Sequence, residues 1–372
     1  MSSYLEEALD LAEKGLGQTS PNPAVGAVIV KDDEVVGRGH HILANAKHAE
    51  IVALDEAREK ARGATMYVSL EPCSHHGRTG PCVEALINAG IKKVVAPMED
   101  PNPQVSGRGF ARLREAKIAV EIEPELAGRA RQVNEPFIHF MRTGRPLVTL
   151  KAAVTLDGRI GAPDDGTPGF TPGWITSEQA RAHVQILRHN SDAILTGIGT
   201  VLADDCRLTD RTGQPRSRSL LRIVLDSQLR LPPESRLATS AKNDLLVITT
   251  SAASPERRKK LEALGVRVEV LERRDGRASL QGVIELLARE RYLSLMIEAG
   301  SKVNWSALES GVADKIFFYY APKILGGMHS LPVAGGAGIR QRKDALLFKD
   351  VKLHSIAKDE FAVEAWLAHR AD

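Results

Sequence analysis

Two α/β domains in tandem are what this sequence predicts, on three observations. At 372 residues the chain is too long for one typical core. Short apolar runs alternate with helical stretches along nearly its whole length, the pattern of sheets covered by helices. The breaker-rich segment RTGRP, residues 142–146, interrupts the alternation, and a second series then begins. The expected domains are therefore 1–143 and 146–372.

In the first domain Tyr4–Lys14 reads as an acidic amphipathic helix, and Ala24–Val30 as a strand. KDDE, residues 31–34, is a hairpin turn between two strands. Helical patterns follow at 48–60, 82–89 and 107–116, separated by strands at 65–70, 93–96 and 118–122. A further helix is expected over about 125–141. The alternation implies a mostly parallel sheet. In the second domain strands are expected at 147–154, 193–196, 220–225, 245–249, 266–271, 294–298 and 316–321. Helices are expected between them at 177–187, 255–264 and 280–290, with two antiparallel strands over 351–368.

Composition excludes several functions. Aromatic residues make up 4% of the chain, too few for a base-stacking surface, and a net charge of +3 is weak for a nucleic-acid binder. The densest basic run, Arg257–Lys260, is short enough to be a solvated helix face. No apolar run is long enough to span a membrane, and the acidic N-terminus is unlike a signal peptide. The expected setting is cytoplasmic, where three cysteines argue against a structural disulfide.

Chemistry concentrates in LEPCSHHGRTGPC, Leu70–Cys82, and in the upstream triplet His48-Ala49-Glu50 at the start of a helix. One histidine and two cysteines, His48, Cys73 and Cys82, have the softness that suits Zn²⁺. Three protein ligands leave a position for water, as in catalytic rather than structural zinc sites. Such a metal lowers the pKa of its water to about 7. Glu50, two residues from His48, points elsewhere on the helix and suits proton transfer rather than ligation. A lone His, Glu or Cys is usually structural; the ordered set H-x-E, P-C and a second cysteine is the signature of zinc deaminases. Here eight residues separate the cysteines where the short form of the motif has two. His75 and His76 are extra ligands, pocket residues or plain solvent-facing side chains.

Four motifs carry a close resemblance to one family: TSPNPAVGAVIV at 19–30, HAE at 48–50, EPCSHHGRTGPC at 71–82 and DPNPQVSGRG at 100–109. They resemble the deaminase half of the bacterial bifunctional riboflavin-biosynthesis deaminase/reductases. The resemblance implies a cytidine-deaminase-like α/β/α domain with zinc on His48, Cys73 and Cys82 and Glu50 as the proton carrier. It further implies that Asn22, His41 and Asn102 contact the pyrimidine or ribose, with His76, Arg78 and Thr79 near the ribose phosphate. Arg78 in a glycine-flanked loop suits a phosphate on its own chemistry. Asn22 and Asn102, each between prolines, equally fit plain turn residues. The family usually has proline where Gly80 stands.

The second domain carries LKAAVTLDGRIG at 150–161, WITS at 174–177, ILTGIGTVLADDCRLTDR at 194–211, IEAGSKVNWSAL at 297–308 and APKILGG at 321–327. There is no GxGxxG, so a Rossmann domain is not supported. A helix beginning at Gly300-Ser301 offers amides to a phosphate, although ordinary helices begin that way too. These blocks resemble the reductase half of the same enzymes, a dihydrofolate-reductase-like α/β domain. By that resemblance NADPH contacts Val154, Trp174, Thr200, Asp204, Ser227, Gly300 and Ser301. The sugar phosphate meets Lys151, Arg188, Leu208, Arg211 and Glu298, with Lys151 and Asp204 as polarising or proton-donating groups. Arg188 and Arg211 are natural phosphate forks, although an arginine on a helix or loop is more often solvated.

Cys206 stands where the family usually has proline after A-D-D, which frees an N–H and loosens that loop. The expected whole is a homo-oligomeric, bifunctional enzyme acting on a small pyrimidine ribosyl phosphate. The alternative is a deaminase whose second domain is not catalytic.

Overall fold

The computed structural model describes residues 3–45, 47–74, 80–102, 105–162, 173–273 and 275–368. The chain forms two compact units, Met1–Arg145 with Pro215–Arg218, and Pro146–Gln214 with Ser219–Asp372.

The first unit runs α1 (Tyr4–Lys14), β1 (Gly26–Lys31), β2 (Glu34–His40), α2 (Ala49–Ala57), β3 (Thr65–Val68), α3 (Cys82–Ala89), β4 (Lys93–Ala96), α4 (Arg108–Glu115), β5 (Ala119–Ile122), α5 (Ala127–Val133) and α6 (Glu135–Thr143). Ser3 caps α1 with a full capping box to Glu6, which fixes where the helix starts. Asp32 and Asp33 both adopt left-handed backbone, the twist a tight hairpin between β1 and β2 requires.

The sheet order is β2-β1-β3-β4-β5. It is less parallel than the alternation implies: β1 is antiparallel to both β2 and β3, and only β3-β4-β5 are parallel. Strand-to-strand periodicity reports burial, not direction, so it does not foresee this. Alternate residues of β1 bury opposite faces. Ala27 and Ile29 pack with α2, α3 and α4, while Val28 and Val30 pack with Leu5, Ala8 and Leu11 of α1. The result is an α/β/α sandwich.

The single helix expected over 125–141 is split at Asn134. Its buried amide accepts from the Ala24 N–H and donates to the Ala24 carbonyl, at 2.8 and 2.9 Å. Pro136, in the first turn of α6, has no N–H with which to continue α5.

The second unit contains β6 (Leu147–Thr155), β7 (Arg159–Gly161), α7 (Glu178–His189), β8 (Ala193–Gly197), α8 (Ile198–Asp204), β9 (Leu221–Leu225), α9 (Arg236–Thr239), β10 (Leu245–Thr249), α10 (Pro255–Glu262), β11 (Arg267–Val270), α11 (Leu280–Arg289), β12 (Ser294–Ile297), α12 (Ser301–Glu309), β13 (Lys315–Ala321), β14 (Leu331–Pro332), β15 (Phe348–Ala357) and β16 (Glu360–Leu367). Nine strands form one sheet, β11-β10-β9-β8-β12-β6-β13-β16-β15. The seven from β11 to β13 are parallel, and β16 and β15 add antiparallel at the end, as the C-terminal pattern predicts. One face is covered by α11 and α12, the other by α8, α9 and α10, with α7 over β13 and β16. The short elements β7, β14, α8 and α9 have no counterpart in the expected series. Among the described residues no helix is long and apolar enough to cross a membrane.

Candidate active sites

In the first unit His48, Cys73 and Cys82 come together, their ligand atoms all within 4.8 Å of one another. His48 is the N-cap of α2 in extended backbone, and its side chain makes no cap bond. Cys82 is the first residue of α3, and its N–H lies 3.4 Å from Cys73 Sγ. His48 Nδ1 is 3.1 Å from Cys82 Sγ and 3.5 Å from Cys73 Sγ. Zinc with bonds of about 2.0–2.3 Å at tetrahedral angles sets ligand edges of roughly 3.5 Å, so the cluster has the dimensions of such a site. The thiol charges fit too. Cys73 is pulled down to about 4, chiefly by the hydrogen bond from Cys82, while that bond and burial push Cys82 up. A divalent cation removes this conflict by holding both sulfurs as thiolates.

Glu50, 4% exposed, faces the same cluster from the first turn of α2. Burial, reinforced by the Cys73 charge, pushes its carboxyl up to about 7, where it both gives and takes a proton near neutrality. His41 Nδ1 lies 2.7 Å from the Lys47 carbonyl, which only accepts; Nδ1 therefore carries the hydrogen. Nε2 then accepts from the Asn22 amide at 3.1 Å. Burial lowers the His41 pKa and keeps the ring neutral. Asn22 and His41 are thus one hydrogen-bonded unit, and the His41 ring meets His48 edge-on at 5.4 Å.

Asn102 lies in a turn held at both ends. Its N–H donates to Asp100 Oδ1 at 2.8 Å, and its carbonyl accepts from Val105 and Ser106. The Asp100 carboxyl is raised to about 6 by burial, with Glu71 and Cys73 adding to the rise. His75, His76, Arg78 and Thr79 lie outside the described residues.

In the second unit Lys151 on β6, Arg188 on α7 and Glu298 just past β12 converge. Lys151 Nζ donates to Glu298 Oε1 at 2.9 Å, and Arg188 donates to Oε2 through Nη2 at 2.8 Å and Nε at 3.2 Å. Burial alone would raise the Glu298 pKa, but the two cations outweigh it and hold it at about 2. The Arg188 fork is thereby engaged by a carboxylate, and its Nη1 by the Thr209 carbonyl at 2.9 Å. A phosphate at this arginine has to compete with them, a difference from the simple fork expected.

The segment after α8 is better anchored than a loop loosened by Cys206. Three α7 side chains hold it: Arg188 on the Thr209 carbonyl, His189 on Asp210 at 2.8 Å, and Gln185 accepting from the Arg211 N–H at 3.1 Å. Leu208 sits there in left-handed backbone, its side chain in the core, and Arg211 is exposed. The Cys206 thiol, pushed up to about 11 by burial and the Asp204 and Glu298 charges, is protonated. Asp204 ends α8 on the surface.

Gly300 caps α12, and Thr200 Oγ1 lies 3.6 Å from where a Cβ on Gly300 would sit. Among the described residues Ser301 Oγ is buried without a hydrogen-bond partner, under Gly335, which has no room for a Cβ. An orphaned hydroxyl at a helix start is a place for an anionic group. Ser227, past β9, accepts at its backbone carbonyl from the Thr250 hydroxyl and at Oγ from the Ala278 N–H. Trp174 is 72% exposed, with the Arg181 guanidinium 4.7 Å over its ring. The Val154 side chain is packed in the core.

Comparison with known proteins places the chain in a family. The RibD C-terminal domain family matches residues 146–360, more than half of the chain, and the cytidine and deoxycytidylate deaminase zinc-binding region matches 1–98. The riboflavin biosynthesis protein RibD of Actinobacillus pleuropneumoniae is 42% identical over 356 residues, covering 96% of this chain and 93% of that protein. The chain belongs to the RibD family. RibD of Escherichia coli strain K12 is 41% identical, with 96% of each chain covered. A solved structure of Acinetobacter baumannii RibD superposes with a TM-score of 0.85 at 36% identity, covering 98% of each chain. The Thermotoga maritima deaminase/reductase of the family gives 0.79 at 33% identity over the same share. This RibD-family chain is therefore a bifunctional riboflavin-pathway enzyme, with a cytidine-deaminase-like domain and a reductase domain.

Sequence reasoning missed Glu71, buried between β3 and Cys73, which accepts four backbone N–H groups. It also missed the α7 side chains Gln185 and His189. The one available signal for Glu71 was its place beside the metal motif.

Proposed function

We propose that the first domain hydrolyses the amino group from a diaminopyrimidinone ribosylamino 5′-phosphate, and that the second reduces the ribosyl chain to ribityl with NADPH. The observation that carries this is the three-donor cluster His48–Cys73–Cys82 with the buried Glu50 carboxyl facing it. Zinc suits that donor set, and when bound it supplies a nucleophile at neutral pH. Glu50 takes one proton from the attacking water and passes it to the ring nitrogen. It then takes the second from the hydroxyl left on the tetrahedral carbon and delivers it to the amino group, which leaves as ammonia while the C–N bond breaks and the ring carbonyl forms. The neutral His41–Asn22 pair and Asn102 hold the pyrimidine. His76, Arg78 and Thr79 are proposed for its phosphate on the family resemblance.

In the second domain NADPH supplies the hydride. Lys151, already a cation against Glu298, protonates or polarises the ring-opened imine, with Asp204 as the second candidate. Thr200, Gly300 and the orphaned Ser301 hydroxyl are proposed for the cofactor's phosphates, and Val154, Trp174 and Ser227 for the rest of it. Arg188, Leu208, Arg211 and Glu298 shape the sugar-phosphate end. Composition supports a cytoplasmic setting and no nucleic-acid partner, and the resemblance supports a homo-oligomer.

One assay tests this. Purified, zinc-loaded protein receives the diaminopyrimidine phosphate, and ammonia release and NADPH absorbance are followed separately. Ammonia first and NADPH loss second is the expected order. Ammonia release that survives complete zinc removal overturns the site assigned to His48, Cys73 and Cys82. NADPH loss without prior ammonia release overturns the order of the two steps.

A further inference from the structure

We infer that Glu71 is a positioning residue of the deaminase site: it fixes the backbone that presents Asn102 and so sets how tightly the pyrimidine is held. The inference rests on the substrate contact proposed above for Asn102. Among the described residues the partners of this buried carboxylate are backbone amides, not a cation. Oε2 accepts from Asp100 at 2.9 Å and Gly107 at 2.9 Å; Oε1 accepts from Gly109 at 2.8 Å and Phe110 at 3.1 Å. One side chain thus ties both ends of the turn containing Asn102 and satisfies N–H groups at the start of α4.

A helix cap alone does not need this arrangement. A Ser or Asp at the N-cap would serve α4 locally, but Gly107 stands there in left-handed backbone with no side chain to offer. The carboxylate comes instead from the residue two before the ligand Cys73. The turn is therefore registered on the strand end that carries the metal ligand. Gly109 gives a second, independent sign of that register. A Cβ there would lie 2.1 Å from the Pro72 carbonyl, so the first turn of α4 sits flush against the Glu71–Cys73 segment. Asp100, whose N–H goes to Glu71, passes the constraint on by accepting the Asn102 N–H.

Glu71→Gln in the full-length, zinc-loaded chain tests this, because an amide replaces one acceptor oxygen with a donor that faces N–H groups. The KM for the diaminopyrimidine phosphate rises about tenfold or more, kcat stays within about threefold, and zinc content and NADPH oxidation on deaminated substrate are unchanged. Asn102→Ala raises KM in the same way, and the double variant adds nothing further. Loss of zinc together with kcat in Glu71→Gln, or fully additive effects in the double variant, overturns the inference. An unchanged KM in Asn102→Ala sinks Asn102 as a substrate contact and the inference with it; a raised KM there with none in Glu71→Gln sinks the inference alone. Should Glu71→Gln not fold, Asp100→Ala removes only the acceptor for the Asn102 N–H. A smaller rise in KM is expected from it, and an unchanged KM overturns the inference.

Discussion

Lys151 and Arg188 grip the two oxygens of one carboxylate, Glu298, from β6 and α7. A carboxylate shared by two cations has its charge more than met. Lys151 Nζ is thereby fixed against Glu298, with the Tyr319 ring 5.8 Å away. In the proposed reduction Glu298 acts chiefly through what it does to Lys151.

Glu298→Gln follows directly. It leaves two mostly buried cations without their counter-charge, frees Lys151 to move, and lowers reductase turnover at least about tenfold. Ammonia release, measured on the same preparation, stays at the wild-type rate. Equal loss of both activities would mean that the change acts through general unfolding.

The same group sets an acid limit. Glu298 is held at about 2, below the ordinary 4.5, so its charged form is favoured by folding. That stabilisation is fully present above the ordinary carboxylate range and is lost as pH falls from about 4.5 towards 2. With its partial exposure discounted, it amounts to about 2 kcal/mol. Urea unfolding of the second domain at pH 6 and pH 3 measures it: the wild type loses more stability between the two than Glu298→Gln does.

At the other site, Glu50→Gln keeps the shape of the side chain and removes its ability to carry a proton. Ammonia release falls by at least about a hundredfold. Zinc content stays unchanged, because the proposed ligand atoms belong to His48, Cys73 and Cys82. Metal analysis beside a kinetic assay separates the two roles, and retained ammonia release removes Glu50 from the chemistry.

The metal cluster was legible in the sequence because each of its residues sits at a helix start or in the loop before one, where short-range pattern and chemistry coincide. The Glu71 clamp was not. Its partners lie 29 to 39 residues away and are backbone amides, which carry no residue identity. Distance hid the reductase grouping in the same way: Glu298 meets Arg188 across 110 positions, and the family resemblance, not periodicity, put both near one site. The break at Asn134 was invisible for a related reason, since a buried amide bonded to Ala24 overrides a continuous helical pattern. The two-domain α/β order was legible throughout, while the direction of β1 was not.

Close packing yields the last prediction. Gly39 of β2 passes so near α2 that a Cβ would lie 2.1 Å from the Ala49 carbonyl and 2.7 Å from the Ala53 N. Both contacts are backbone, so no side chain can swing aside. Gly39→Ala must therefore push the first turn of α2 outward, and that turn carries Glu50 and follows the N-cap His48. Overpacking of this kind costs about 1–3 kcal/mol, read as a lower midpoint in urea. The displacement also moves His48, a proposed ligand, relative to Cys73 and Cys82, which are anchored on other elements. Zinc is lost to a chelator sooner than from the wild type, and ammonia release falls with it, while NADPH oxidation on deaminated substrate is unaffected. A Gly39→Ala protein of wild-type zinc retention would show that α2 is not rigidly coupled to β2.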